Sequence, residues 1–75
     1  MRFVYGYSHK NQRLTIFVTN EDRGTELTFD ALDDVIQDFS DVRVIDFEHK
    51  DIGAGDLFSF INYIYKVYPD IKVIN

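Results

Sequence analysis

The chain contains no cysteine, no tryptophan, a single proline and four glycines. Without thiols, neither a disulfide framework nor a thiolate metal site can hold so small a fold together, and its stability has to come from packing. Cations are scarce as well: eight Lys and Arg stand against thirteen Asp and Glu, for a net charge of −5. Affinity for nucleic-acid phosphates comes mainly from cations that release counterions, so this balance argues against direct nucleic-acid binding. No stretch approaches the ~20 apolar residues of a membrane helix, and the opening MRFVYGYSHK has no apolar secretory core. The expectation is a cytoplasmic protein without membrane contact. Repeats and low-complexity tracts are missing too, which removes solenoids and flexible linkers.

What is present is apolar and aromatic. Hydrophobic residues make up 45% of the 75, with seven Phe and five Tyr, enough to bury a core in one domain over residues 1–75 but not in two. Charge is unevenly placed: residues 20–41 carry eight acids against one base, a net of −7, leaving +2 for the remainder.

Residues 3–7 and 14–19 are rich in aromatic and β-branched side chains, and the polar SHKNQ between them reads as a hairpin connection. NEDRG follows as a turn with Gly24 suited to positive φ, and residues 25–27 are left open as a short extra strand. Thr28 is placed to cap the helix FDALDDVIQDF, in which Leu32, Val35, Ile36 and Phe39 form one stripe at i, i+3, i+4, i+7. VRVIDF reads as an interior strand, and the loop DIGAGD leads into the helix LFSFINYIYKVY, stopped by Pro69. IKVIN closes the chain as a strand. The order β-β-α-β-α-β predicts an α/β (or α+β) fold, a four-stranded mixed sheet with both helices on one face, because crossovers between parallel strands are right-handed. Phe3, Tyr5, Phe17, Ile45 and Phe47 are then expected to be exposed on a thinly covered sheet, or buried against a second copy.

From residue 13 onward the element order and the run VRVIDFEHKDIGAGDLFSFINYIYKVYPDIKVIN resemble the STAS domain, the sulfate-transporter and anti-sigma-factor-antagonist fold. The resemblance implies a switch-like protein-binding module in which the helix after the loop docks a partner, sometimes a kinase. Where that family carries an Ile-Asp-Ser-Ser type motif, this chain has Ile52, Gly53, Ala54 and Gly55, so the phosphorylatable serine has no counterpart. Ser59 lies a helical turn further on, so the role is not carried over to it.

Few residues suggest chemistry. Asp46, Glu48, His49 and Asp51 cluster at the carboxyl end of a parallel strand, where open α/β sheets place ligands and where oxygens would suit a hard cation. A solvated strand end is the simpler account. GAGD before a helix would offer backbone N–H groups to an anion, yet Asp56, read as the N-cap, already supplies a negative oxygen there. His9 sits in a polar loop as a surface histidine. No nucleophile–base pattern can be drawn, so no catalytic residue, cofactor or metal is expected.

Two surfaces remain. In the second helix Leu57, Phe60, Ile61 and Ile64 make a core stripe, while Phe58, Tyr63, Tyr65, Val67 and Tyr68 leave few polar positions, as in a helix buried on more than one side. Phe58, Tyr65 and Tyr68 are the candidate partner-binding residues. In the first helix Asp30, Asp34, Asp38 and Asp41 line the polar side, with Asp33 nearby, and their mutual repulsion is not explained by helix formation. The expected function is a non-enzymatic protein-interaction domain, STAS-like in outline, acting through the second helix or the open sheet face on a protein partner or on itself as a homodimer. The alternative is a small acidic inhibitor of phage or mobile-element type, whose Asp30, Asp34 and Asp38 mimic nucleic-acid charge and block a nucleic-acid-binding protein.

Overall fold

The computed structural model of the chain describes residues 1–49 and 52–74. Strands β1 (Arg2–Ser8) and β2 (Arg13–Thr19) form an antiparallel hairpin in which Phe3 faces Val18, Tyr5 faces Ile16 and Tyr7 faces Leu14. Gln12 closes the turn at φ 52°, and its carbonyl accepts from the Arg43 and Val44 N–H groups at 2.9 and 3.1 Å. The start of β4 (Val44–His49) is thereby tied to the hairpin end.

Thr25 and Glu26 form a further strand, β3, antiparallel to β1, so among the described residues the sheet has five strands rather than four. Gly24 makes this return of the chain possible. It adopts φ +79°, and a Cβ there would lie 2.3 Å from the Phe3 carbonyl oxygen, so both conformation and space require glycine.

Helix α1 (Phe29–Phe39) begins as its composition dictates: the Thr28 hydroxyl oxygen accepts from the Ala31 N–H at 3.0 Å. Ser40 ends it in the left-handed region, at φ 56°. Helix α2 (Ala54–Val67) starts three residues before the expected Leu57. Gly53, not Asp56, occupies the N-cap, because Ala54 and Gly55 extend the first turn; Asp56 lies within that turn and complements the dipole there. Strand β5 (Lys72–Ile74) closes the sheet, whose order is β3-β1-β2-β4-β5, with β2, β4 and β5 parallel.

Register decides which face is covered. Leu14 aligns with Ile45 and Ile16 with Phe47, and these share a face with Phe3 and Val18. All six are buried in one cluster with Leu32, Val35 and Ile36 of α1 and Leu57, Phe60, Ile61 and Ile64 of α2. Both helices therefore cover the same face. Phe3, Ile45 and Phe47, expected at an exposed or intermolecular position, are core residues beneath the helices. Tyr5, at the margin of that face, and Phe17, on the opposite face, stay 46% and 44% exposed. The uncovered face is mixed in polarity: around Phe17 stand Thr15, Asp46 and Glu48, with Arg13 and Asp46 paired at 3.9 Å. It is not a continuous apolar surface.

Candidate functional site

Helix α2 turns ~100° per residue, so Phe58 and Tyr65, seven positions apart, project from the same side. That side is not packed: Phe58 is 55% and Tyr65 49% exposed. The helix has few polar positions, yet only the side carrying Leu57, Phe60, Ile61 and Ile64 is fully buried. Its opposite flank faces α1, where Phe29 lies 5.0 Å from Phe60 and 4.6 Å from Tyr63, ring centre to ring centre. Helix α1 in turn sits over β1, since Phe39 stacks on Tyr7 at 4.2 Å and meets Tyr5 edge-on at 6.0 Å. With α1 over the β1 side and α2 against β5, Phe58 and Tyr65 project toward the β5 edge.

Tyr68 does not join them. It ends α2 half-buried, and its hydroxyl donates to Asp33 Oδ1 at 2.8 Å, while Gln37 Nε2 donates to the phenol oxygen at 3.5 Å. Tyr63 donates to the other oxygen of Asp33 at 2.6 Å. One carboxylate thus accepts two phenols and joins the helices. The hydrogen bond to Asp33, with burial second, pushes the Tyr63 phenol up to about 12. Tyr68 is raised chiefly by burial, with the Gln37 bond opposing. Asp33 has this role because it lies ~100° from Leu32, at the margin of the apolar stripe, whereas Asp30, Asp34 and Asp38 lie further round and are exposed. That spacing was a usable signal in the sequence; the partners were not.

Asp41 also departs from the expected acidic stripe. It follows the C-cap of α1 and accepts a 2.6 Å hydrogen bond from the Tyr7 hydroxyl. This bond holds the Asp41 carboxyl below its usual range, and burial together with Asp41 pushes Tyr7 up to about 12. His9, read as a plain surface residue, is exposed yet lies edge-on to Tyr7 at 5.0 Å, extending the aromatic stack.

Of the strand-end cluster, Asp46 pairs with Arg13 and Glu48 is exposed. Asp51 and the His49 side chain lie outside the described residues. Among the described residues no group of three metal-ligating side chains converges. Ser59 donates back to the Gly55 carbonyl at 3.0 Å, within its own helix. An open groove of about 620 Å³ separates the C-terminal ends of the helices, with Gln37, Asp41, Arg43, Tyr68 and Asp70 in its walls, and its lining contains no His, Cys or Lys. Among the described residues, no helix is long and apolar enough to cross a membrane. Comparison with family models, with curated proteins and with solved structures finds no match to this chain.

Proposed function

We propose that this chain is a non-enzymatic protein-interaction domain, working in the cytoplasm without cofactor, nucleic acid or membrane, and that the outer flank of α2 is its contact surface. One observation carries the reading: Phe58 and Tyr65 are half exposed on one side of a helix whose Leu57, Phe60, Ile61 and Ile64 belong to the core. Paired exposed aromatics are costly to leave in water and are typical anchors of interfaces. On the open sheet face Phe17 has Val4 beside it, but the Arg13–Asp46 ion pair, Thr15 and Glu48 interrupt the apolar surface. Helix α2 also holds the place, after a strand and a loop, of the docking helix in the STAS-like outline, although the phosphoswitch serine has no equivalent here.

The test is the double variant Phe58→Asp/Tyr65→Asp, whose sites lie outside the core and should leave the melting temperature nearly unchanged. Self-association, followed by sedimentation, and recovery of bound proteins from lysate should both fall. A variant that folds, self-associates and retains proteins as the parent does removes the reading.

The acidic-mimic reading draws on a separate observation: Asp30, Asp34 and Asp38 are exposed, and the ion pairs among the described residues, Arg2–Asp22, Arg13–Asp46 and Arg23–Glu21, all lie outside α1. Its uncompensated charge would suit a basic cleft.

A further inference from the structure

We infer that the partner of the α2 flank is a second copy of this chain, joined through antiparallel pairing of the two β5 edges about Val73. The inference rests on the interaction reading above and names the occupant of that surface.

Strand β5 is the last in the sheet, and its backbone is half used. The Lys72 N–H donates inward to the Arg43 carbonyl at 2.9 Å. Peptide groups alternate in direction along a strand, so the N–H and C=O of Val73 face away from β4. Two copies related by a twofold axis normal to the sheet would exchange both of these groups, Val73 with Val73, as a reciprocal hydrogen-bonded pair. Lys72 and Ile74 would lie opposite each other across the seam, and the half-buried Val73 side chains would meet on the covered face.

The helices fit the same arrangement. A crossover helix rides above the strands it connects, here β4 and β5, and strands lie about 4.8 Å apart. Joining β5 to β5 then separates the two α2 axes by about 10 Å, close to the 8–10 Å at which helices pack. Each copy's Phe58–Tyr65 flank faces the other across that gap, and hydrogen-bonded edge and apolar flank are covered in one contact.

Electrostatics permits this contact and disfavours others. Residues 52–74 contain Asp56 and Asp70 against Lys66 and Lys72 and are neutral, whereas residues 20–41 carry −7. Since α1 lies over β1, on the other side of α2 from β5, the twofold axis places the two acidic helices at opposite ends of the assembly. At the opposite edge, by contrast, β3 is two residues long and the acidic segment adjoins it.

Sedimentation of the 75-residue chain across the micromolar-to-millimolar range should show a monomer–dimer equilibrium. Chemical synthesis with an N-methyl group on Val73 removes the outward donor without touching the β4 pairing, and should weaken the dimer about tenfold or more while the melting temperature of the diluted monomer is unchanged. Phe58→Asp/Tyr65→Asp should abolish it. A monomer at every concentration overturns the inference, and recovery of other proteins through the same flank then decides the interaction reading alone. A dimer that resists N-methylation but is lost in the double variant overturns the edge pairing and leaves the flank. A dimer that survives both changes overturns both.

Discussion

Asp33 shows how a single carboxylate can change its meaning between sequence and structure. In the sequence it is one of eight acids in a charged segment; in the fold it accepts hydrogen bonds from Tyr63 and Tyr68 and ties α2 to α1. The Tyr63 phenol is raised in the folded chain from 10.0 to about 12. A raised acid of this kind favours folding while it stays protonated: the contribution is complete below pH 10, and is lost as pH climbs through about 12. The melting temperature should therefore decline across that interval as Tyr63 ionises beside Asp33. In Asp33→Asn the negative partner is removed, so the tyrosinate absorbance of Tyr63 should rise nearer pH 10 and the alkaline loss of stability should flatten. Tyr7, held by Asp41, should keep its late titration in the same variant and serves as the internal reference. An alkaline titration identical in parent and variant would show that Asp33 does not govern these phenols.

At the scale of elements, α1 divides into a buried stripe, a margin joined to α2 and an exposed acidic side. Leu32, Val35 and Ile36 are buried, Asp33 bridges to α2, and Asp30, Asp34 and Asp38 face solvent. Like charges at i and i+4 cost a few tenths of a kcal/mol per pair, and Asp30–Asp34 and Asp34–Asp38 are two such pairs. Replacing Asp30, Asp34 and Asp38 together by Asn should leave the melting temperature equal or raised by the relief of that repulsion, part of which is offset because Asp30 also favours the helix N-terminus. If these residues contact a basic partner, the same variant loses it while remaining folded. Partner recovery equal to that of the parent would eliminate the charge-mimic reading.

For the whole molecule the distribution of charge matters more than its total. Residues 20–41, α1 and the turn before it, carry −7 of a net −5, and the neutral stretch from Ile52 to Ile74 builds the other end of the sheet. Screening shortens the reach of surface charges from ~10 Å at 0.1 M salt to ~3 Å at 1 M. An assembly formed through α2 and β5 should therefore hold or tighten as salt rises, because the residual repulsion between two acidic molecules is screened while apolar contact is not. Sedimentation at low and high sodium chloride measures this. A steep loss of association in high salt would mean that the acidic surface, not the aromatic flank, holds the contact.

Local patterns in the sequence were enough to define α1 from Phe29 to Phe39 with its Thr28 cap, the hairpin, and a mixed sheet with two helices, because capping and periodicity act over a few neighbouring residues. Phe58 and Tyr65 could likewise be picked out as large apolar residues beyond the needs of one core stripe. Several features could not be read there. The two-residue strand β3 exists because Gly24 turns the chain back onto β1, a pairing between residues more than twenty positions apart. Helix α2 begins at Ala54 behind a Gly53 N-cap, three residues before the apolar pattern starts. Phe3, Ile45 and Phe47 look like any other strand aromatics and aliphatics; only the register between β1, β2 and β4 assigns them to the covered face. The same holds for Asp33 and Asp41, whose phenol partners lie thirty or more residues away. A sequence states which side chains are available at short range, whereas burial and hydrogen-bond partnership depend on which distant segments the fold brings together.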